Sequence, residues 1–67
     1  MFFQQRLKQL RNQNKLTKQE MSKRLNMEQS TYSRYENGIT IATIDIILRI
    51  AKEFKVSIDW LLGIDGR

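Results

Sequence analysis

Between Leu16 and Gly38 the chain reads LTKQEMSKRLNMEQSTYSRYENG, which predicts two short helices joined by a tight turn. The first helix opens on a capping box, in which the Thr17 hydroxyl accepts from the Glu20 amide and the Glu20 carboxylate accepts from the Thr17 amide. Asn26 is predicted to form the turn, because Asn tolerates a positive φ better than most residues other than Gly. Gly38 is the expected stop of the second helix.

The second helix of this segment is predicted from about Gln29 to Asn37 and has two unlike faces. Tyr32 and Tyr35 are three residues apart and are expected to face inward. Such a helix pair can lay one helix across a duplex and the other in its major groove. The opposite face is polar throughout and consists of Gln29, Ser30, Ser33 and Arg34.

This polar face carries groups that can read base edges. Gln pairs with adenine N6 and N7, and Arg pairs with guanine O6 and N7, so base contacts are expected from Gln29, Ser30, Ser33 and Arg34. Lys18 and the first amides of its helix are expected to meet a backbone phosphate. The alternative is an ordinary solvated helix face. Nearby Glu28 would repel phosphate unless it accepts from a cytosine amino group.

Outside this segment the chain also predicts helices only, giving five in all. The first runs from about Phe3 to Gln13, with a break over residues 12–15 where an Asn can take a left-handed cap. Thr43 caps a fourth helix and Ser57 caps a short fifth helix. The fourth carries Ile44, Ile47, Leu48, Ala51 and Phe54 at helical spacing, and the fifth contains Trp60, Leu61 and Leu62.

Length and composition narrow the class of protein. With 67 residues, we expect one compact all-α domain, with an ordered core over about 3–62 and a frayed tail over 63–67. The chain has no Cys and no His, so it lacks thiolate ligands and the commonest general base. We therefore expect no enzyme, metal, cofactor or small-molecule substrate. No apolar run is long enough to span a membrane, so we expect a soluble cytoplasmic protein without a membrane partner.

The net charge of +5 is unevenly distributed. Through Asn37 the chain has eight Lys or Arg against three Glu, whereas the remainder has four basic and four acidic residues. The entire excess therefore lies in the half that contains the helix pair, as expected of a protein that binds a polyanion. A lysine-rich solubility surface is the alternative.

Two further sets of residues have structural interpretations. Arg11 and Glu36 are the most plausible internal ion pair, with two independent surface charges as the alternative. The apolar residues of the connector after Gly38 and of the last helix exceed what a small core needs, which predicts a homodimer patch. Its expected members are Ile41, Ile58, Trp60 and Leu61, although Trp60 and Leu61 could instead close the core.

Several of these motifs together resemble the Cro/CI-type helix-turn-helix family, also called the XRE family. They are Leu16-Thr17, the turn at residues 25–27, Tyr35-Glu36-Asn37-Gly38 and residues 56–62 (VSIDWLL). The resemblance covers nearly the whole chain and implies a five-helix domain whose third helix enters the major groove. It also implies the Arg11–Glu36 pair and base contacts from Gln29, Ser30 and Arg34. We expect phosphate contacts from Lys18, Thr31, Asn37 and Thr40.

The chain departs from the family pattern at positions that bear on binding. Lys18 replaces the usual Gln, and Glu28 replaces the usual small hydroxyl cap. The connector Ile39–Ala42 lacks the usual basic residues and Pro, which favours contact with protein there rather than with phosphate.

The resulting expectation is a small, stand-alone transcriptional repressor that binds a pseudo-palindromic DNA operator as a homodimer. The alternative is a protein-interaction module, such as the antitoxin of a toxin–antitoxin pair or an anti-repressor partner.

Overall fold

A computed structural model of the protein describes residues 2–64, and within that range it contains five α-helices and no strand. The helices are α1 (Phe2–Gln13), α2 (Lys18–Arg24), α3 (Gln29–Glu36), α4 (Ile44–Phe54) and α5 (Ile58–Leu62). Helix α2 packs on α3, α1 packs on both α3 and α5, and α4 packs on α5. The all-α, five-helix expectation is confirmed.

Side-chain caps fix the start of three helices, as the sequence predicted. The Thr17 hydroxyl accepts from the Glu20 amide at 3.1 Å, and the Thr17 amide donates to the Glu20 carboxylate at 2.8 Å, which completes the capping box. Thr43 caps α4 and Ser57 caps α5 in the same manner, although neither has the reciprocal bond. Each cap satisfies one amide that the first helical turn leaves without a backbone partner.

Each of the five helices is followed, one or two positions after its last residue, by a residue with positive φ. These residues are Lys15, Asn26, Gly38, Lys55 and Gly63. After each, the next amide reaches back five residues to a carbonyl, as Leu16 does to Arg11 at 3.1 Å. The turn at Asn26 is confirmed. The expected left-handed Asn after α1 is wrong, since Lys15 takes that conformation (φ 56), while the side-chain NH₂ group of Asn14 donates to the Leu10 carbonyl at 2.8 Å.

The expected tail begins within the described residues. Gly63 and Ile64 donate their amides to carbonyls of α5 and so close that helix. Residues 65–67, the rest of the expected tail, lie outside the described residues.

The core lies where α1, α2, α3 and α5 meet, with α4 covering one side. Its fully buried side chains are Leu7, Met21, Leu25, Tyr32, Ile50 and Leu61. On α4 the buried residues are Ile47 and Ile50, whereas Ile44 and Leu48 from the expected stripe are exposed. They lie at the edge of the stripe, because the packing of α4 centres on the line through Ile47, Ile50 and Phe54.

Leu61 is the one dimer-patch residue that the structure contradicts. It is fully buried within the chain, so no apolar surface of its side chain remains for a second subunit. The alternative interpretation, that Leu61 closes the core, is therefore correct for this residue.

Candidate nucleic-acid interface

Helices α2 and α3 form a bent pair around a short corner. Asn26 holds the positive φ of the turn (φ 56), and the Met27 amide bonds the Ser22 carbonyl at 3.0 Å. Met27 is half-buried against the core, and Leu25 is fully buried. The corner is thus fixed by backbone bonds and packing, which sets the angle at which α3 projects.

The two faces of α3 differ as the sequence predicted. Tyr32, Tyr35 and Glu36 are buried on the inner face. On the outer side Gln29, Ser30 and Arg34 are exposed, while Ser33 is half-buried between the two faces. We call these four residues, Gln29, Ser30, Ser33 and Arg34, the α3 polar face.

The residues expected at phosphates lie around this face. Thr31 is half-buried on α3, and Asn37, directly after the helix, is exposed. Thr40 is also exposed, and its amide bonds the Arg34 carbonyl at 3.4 Å. The connector therefore stays against the end of α3 instead of leaving the domain surface.

A buried carboxylate ties α3 to the other helices. Glu36 Oε2 accepts from Arg11 Nε at 2.8 Å and from the Tyr32 hydroxyl at 2.5 Å, and Glu36 Oε1 accepts from an Arg11 terminal nitrogen at 3.2 Å. The Glu36 side chain is 2% exposed. Lys18 Nζ lies 3.9 Å from Oε1. We call Arg11, Lys18, Tyr32 and Glu36 the Glu36 cluster.

The cluster is stable as a charged group. Burial opposes ionisation of Glu36, but the hydrogen bonds from Arg11 and Tyr32 outweigh it and hold the pKa of Glu36 below its ordinary value. Burial, together with the bond to Glu36, raises the pKa of Tyr32, so its hydroxyl keeps the proton that it donates. The bond to Glu36 also raises the pKa of Arg11. Glu36 is therefore an anion held by three donors.

Sequence reasoning missed two sets of contacts near the helix pair. The Tyr32 hydroxyl was expected only as part of an apolar face, yet it completes the Glu36 cluster. From α4, Arg49 donates to the Leu25 carbonyl at 3.0 Å. Arg24 pairs with Glu53 at 3.1 Å and lies 4.5 Å from the Phe54 ring centroid. The residue types offered no signal for the contacts of Arg24 and Arg49, because they join residues 24 or more positions apart. The bond from Tyr32 to Glu36 spans only four positions within α3, but the side-chain pattern gave no reason to expect that the tyrosine hydroxyl reaches the carboxylate.

Glu28 occupies the N-cap position of α3 without capping it. Its backbone has cap geometry (φ −73, ψ 151), but its side chain accepts no bond from the first turn. The side chain is exposed. In α2, α4 and α5 a Thr or Ser performs this role, so α3 begins with one fewer hydrogen bond than its neighbours.

The expected dimer residues other than Leu61 reach the surface. Ile41 is 80% exposed and its neighbour Ile39 is 72% exposed. Ile58 is also exposed. Trp60 is half-buried, with the Arg6 guanidinium 4.8 Å from its ring centroid.

The described residues include no group of three or more Asp, Glu, His or Cys side chains that could hold a metal ion. A shallow groove lies along the outer face of α1, lined by Gln5, Lys8, Gln9, Asn12 and Gln13. In the part of the chain that the structure describes, no helix has the length and apolarity needed to cross a membrane.

Comparisons with known proteins agree with this geometry. A helix-turn-helix family model matches residues 7–61. The chain is similar to YobD of Bacillus subtilis (strain 168), described as an uncharacterized HTH-type transcriptional regulator, with 33% identity over 60 residues. The match covers 90% of this chain but 54% of the relative, so the chain spans about half the length of that protein. No solved structure matches the chain significantly.

Proposed function

The chain belongs to the XRE family of helix-turn-helix DNA-binding regulators, and from that membership we propose that it is a repressor that binds a pseudo-palindromic operator as a homodimer. In this proposal α3 enters the major groove, which is wide enough to admit a helix. Repression results from occlusion of a promoter in the cytoplasm.

The observation that carries the proposal is the α3 polar face, presented by a helix whose other side is anchored in the core. Gln29 is suited to adenine and Arg34 to guanine, because each can make two hydrogen bonds to the major-groove edge of that base. The hydroxyls of Ser30 and Ser33 can donate to or accept from either base. Because Tyr32 and Tyr35 are buried, α3 cannot turn this face away without disrupting the core.

Phosphate contacts would set the position of α3 in the groove. The proposal assigns them to Lys18, Thr31, Asn37 and Thr40, all of which keep some exposed surface. The excess of positive charge in the first 37 residues supports this assignment, since cation–phosphate contacts supply much of the affinity for duplex DNA.

Dimerisation is proposed through Ile41, Ile58 and the exposed edge of Trp60. Two half-sites would then lie about one helical turn apart, roughly 34 Å centre to centre. The exposure of Ile39 and Ile41 equally favours a second candidate, a module that binds a toxin or another protein through the connector.

Selection from a random duplex pool tests DNA recognition. We expect a two-fold symmetric consensus, with binding that persists at physiological salt. Lys18→Ala should weaken all duplexes alike and flatten the salt dependence, whereas the matched Lys8→Ala, on the outer face of α1, should not. Salt-sensitive binding without a consensus would contradict operator recognition.

Sedimentation tests the dimer separately. Ile58→Asp should convert a dimeric parent into a helical monomer, because a carboxylate would be buried without a partner at the interface. An unchanged sedimentation coefficient would rule out this interface. A monomeric parent that binds DNA without symmetry would favour the protein-interaction candidate.

A further inference from the structure

Within the Glu36 cluster, Lys18 is the charged residue that makes no hydrogen bond to the Glu36 carboxylate. Arg11 and Tyr32 donate directly to the Glu36 carboxylate, whereas Lys18 Nζ lies 3.9 Å from Oε1, beyond hydrogen-bond distance. Lys18 is also the most exposed of the charged members, at 39% for its side chain against 14% for Arg11. The ammonium group is thus attracted to the carboxylate while its three N–H donors remain available.

The charges of the cluster do not cancel. One carboxylate stands against two cations, and the short bonds from Arg11 account for one of them. The remaining positive charge is carried by Lys18, at the surface. Because Glu36 is fixed by three hydrogen bonds from two side chains, it provides a stationary anion that restrains the otherwise flexible lysine.

We propose that Glu36 is a positioning residue that holds the Lys18 ammonium between the start of α2 and the end of α3, ready to contact one backbone phosphate. This inference rests on the proposed function, in which Lys18 meets phosphate. Lys18 is the first residue of α2 and Glu36 is the last residue of α3. The contact therefore links the phosphate backbone to the helix that carries the polar face, and it fixes the register of that face in the groove.

The effect of removing the Glu36 charge has opposite signs under two explanations. Glu36→Gln deletes a negative charge from a DNA-binding protein, so long-range electrostatics alone would strengthen binding. If Glu36 positions Lys18, the same substitution weakens binding, because the lysine loses its restraint. Glu53→Gln is the matched control: it also deletes one charge from an Arg-paired glutamate, but on α4 beside Arg24.

The experiment measures affinity for the selected duplex by fluorescence anisotropy across a salt series. Each phosphate contact contributes about 0.9 to the slope of log affinity against log salt. Lys18→Ala should reduce the slope by about that amount. Glu36→Gln alone should also reduce the slope, by more than half as much as Lys18→Ala does. In the Lys18→Ala background, Glu36→Gln should change the slope no further. Glu53→Gln should leave the slope unchanged.

Other outcomes separate this inference from the function on which it rests. If Lys18→Ala leaves the slope unchanged, the phosphate contact itself is wrong. If Lys18→Ala lowers the slope but Glu36→Gln does not, or if the two changes are additive, the positioning role is overturned. Circular dichroism first establishes that each variant is folded. If Glu36→Gln is unfolded, Tyr32→Phe replaces it, because this change removes one of the hydrogen bonds that fix the carboxylate. Tyr32→Phe is then expected to lower the slope as well. An unchanged slope would overturn the proposal.

Discussion

Replacing Glu36 with Gln should destabilise the fold far more than any exposed ion-pair substitution. The carboxylate accepts from Arg11 twice and from Tyr32 once, and its side chain is 2% exposed. Glutamine keeps the shape and one acceptor, but its NH₂ group faces donors. The Arg11 guanidinium, whose side chain is 14% exposed, then loses its counter-charge.

The magnitude follows from burial. Breaking a buried ion pair by removing one partner costs about 3–5 kcal/mol. The retained amide oxygen and the bond from Arg11 to the Leu16 carbonyl reduce this, so we expect a loss of about 2–3 kcal/mol. In a domain of this size, that corresponds to a fall in Tm of about 10–20 °C. Glu53→Gln, at the exposed Arg24 pair, should cost only about 0.2–1 kcal/mol.

The loss should depend on pH. The folded protein lowers the pKa of Glu36, so its contribution to stability is fully present above the unfolded pKa of about 4.3. The contribution disappears as the pH falls through the folded pKa, where the wild-type carboxyl becomes neutral like the amide. The difference between wild type and Glu36→Gln is therefore constant near neutral pH and narrows below about pH 4.

Urea unfolding followed by circular dichroism measures both quantities, with wild type, Glu36→Gln and Glu53→Gln compared from pH 7 downward. The reasoning is refuted if the two variants lose equal stability at pH 7. It is also refuted if the deficit of Glu36→Gln is the same at pH 3 as at pH 7, because the deficit would then not arise from the charge.

Three other substitutions test local features. Lys15→Gly should stabilise the protein by about 1 kcal/mol in urea unfolding, since glycine removes the strain of a left-handed side-chain residue; a loss of stability would contradict that strain. Glu28→Thr should add the missing side-chain cap of α3 and contribute about 1 kcal/mol, and an unchanged urea midpoint would show that α3 gains nothing from a cap. Arg34→Ala should relax preference at one base position of the selected duplex, with a loss of about 1–3 kcal/mol in binding titrations; equal weakening on all sequences would argue against base reading.

Helix starts could be predicted from the sequence more readily than helix ends. A helix start often depends on one side chain that bonds a backbone amide of the first turn. The sequence therefore predicts the caps at Thr17, Thr43 and Ser57, and the structure confirms them. An end is set by backbone geometry that many residues can adopt when neighbours compensate. Lys15 and Lys55 are left-handed although lysine has no preference for it, because the apolar residue after each, Leu16 or Val56, packs against the core.

The sequence predicts those features of the candidate site that depend only on the helical spacing of residues within α3. The spacing of Tyr32 and Tyr35 separates the inner face of α3 from its polar face without knowledge of the remaining fold. The Tyr32 hydroxyl bond and the Arg49 contact to the Leu25 carbonyl depend on side-chain reach. The burial of Leu61 depends on how α5 rotates against α1, which the apolar pattern of a five-residue helix does not determine.

Helix α3 gains little stability from its own sequence. The residues that keep it folded are therefore different from the residues that are proposed to contact DNA. It has eight residues and no side-chain cap, whereas isolated helices shorter than about 12–15 residues are marginal in water. Its helicity therefore depends on the anchors Tyr32, Tyr35 and Glu36. Substitutions on the polar face should leave stability within about 0.5 kcal/mol of wild type. Those at the anchors should change folding and DNA binding together. If the α3 polar face reads bases as proposed, base preference can change at Gln29, Ser30 and Arg34 while the same scaffold is retained.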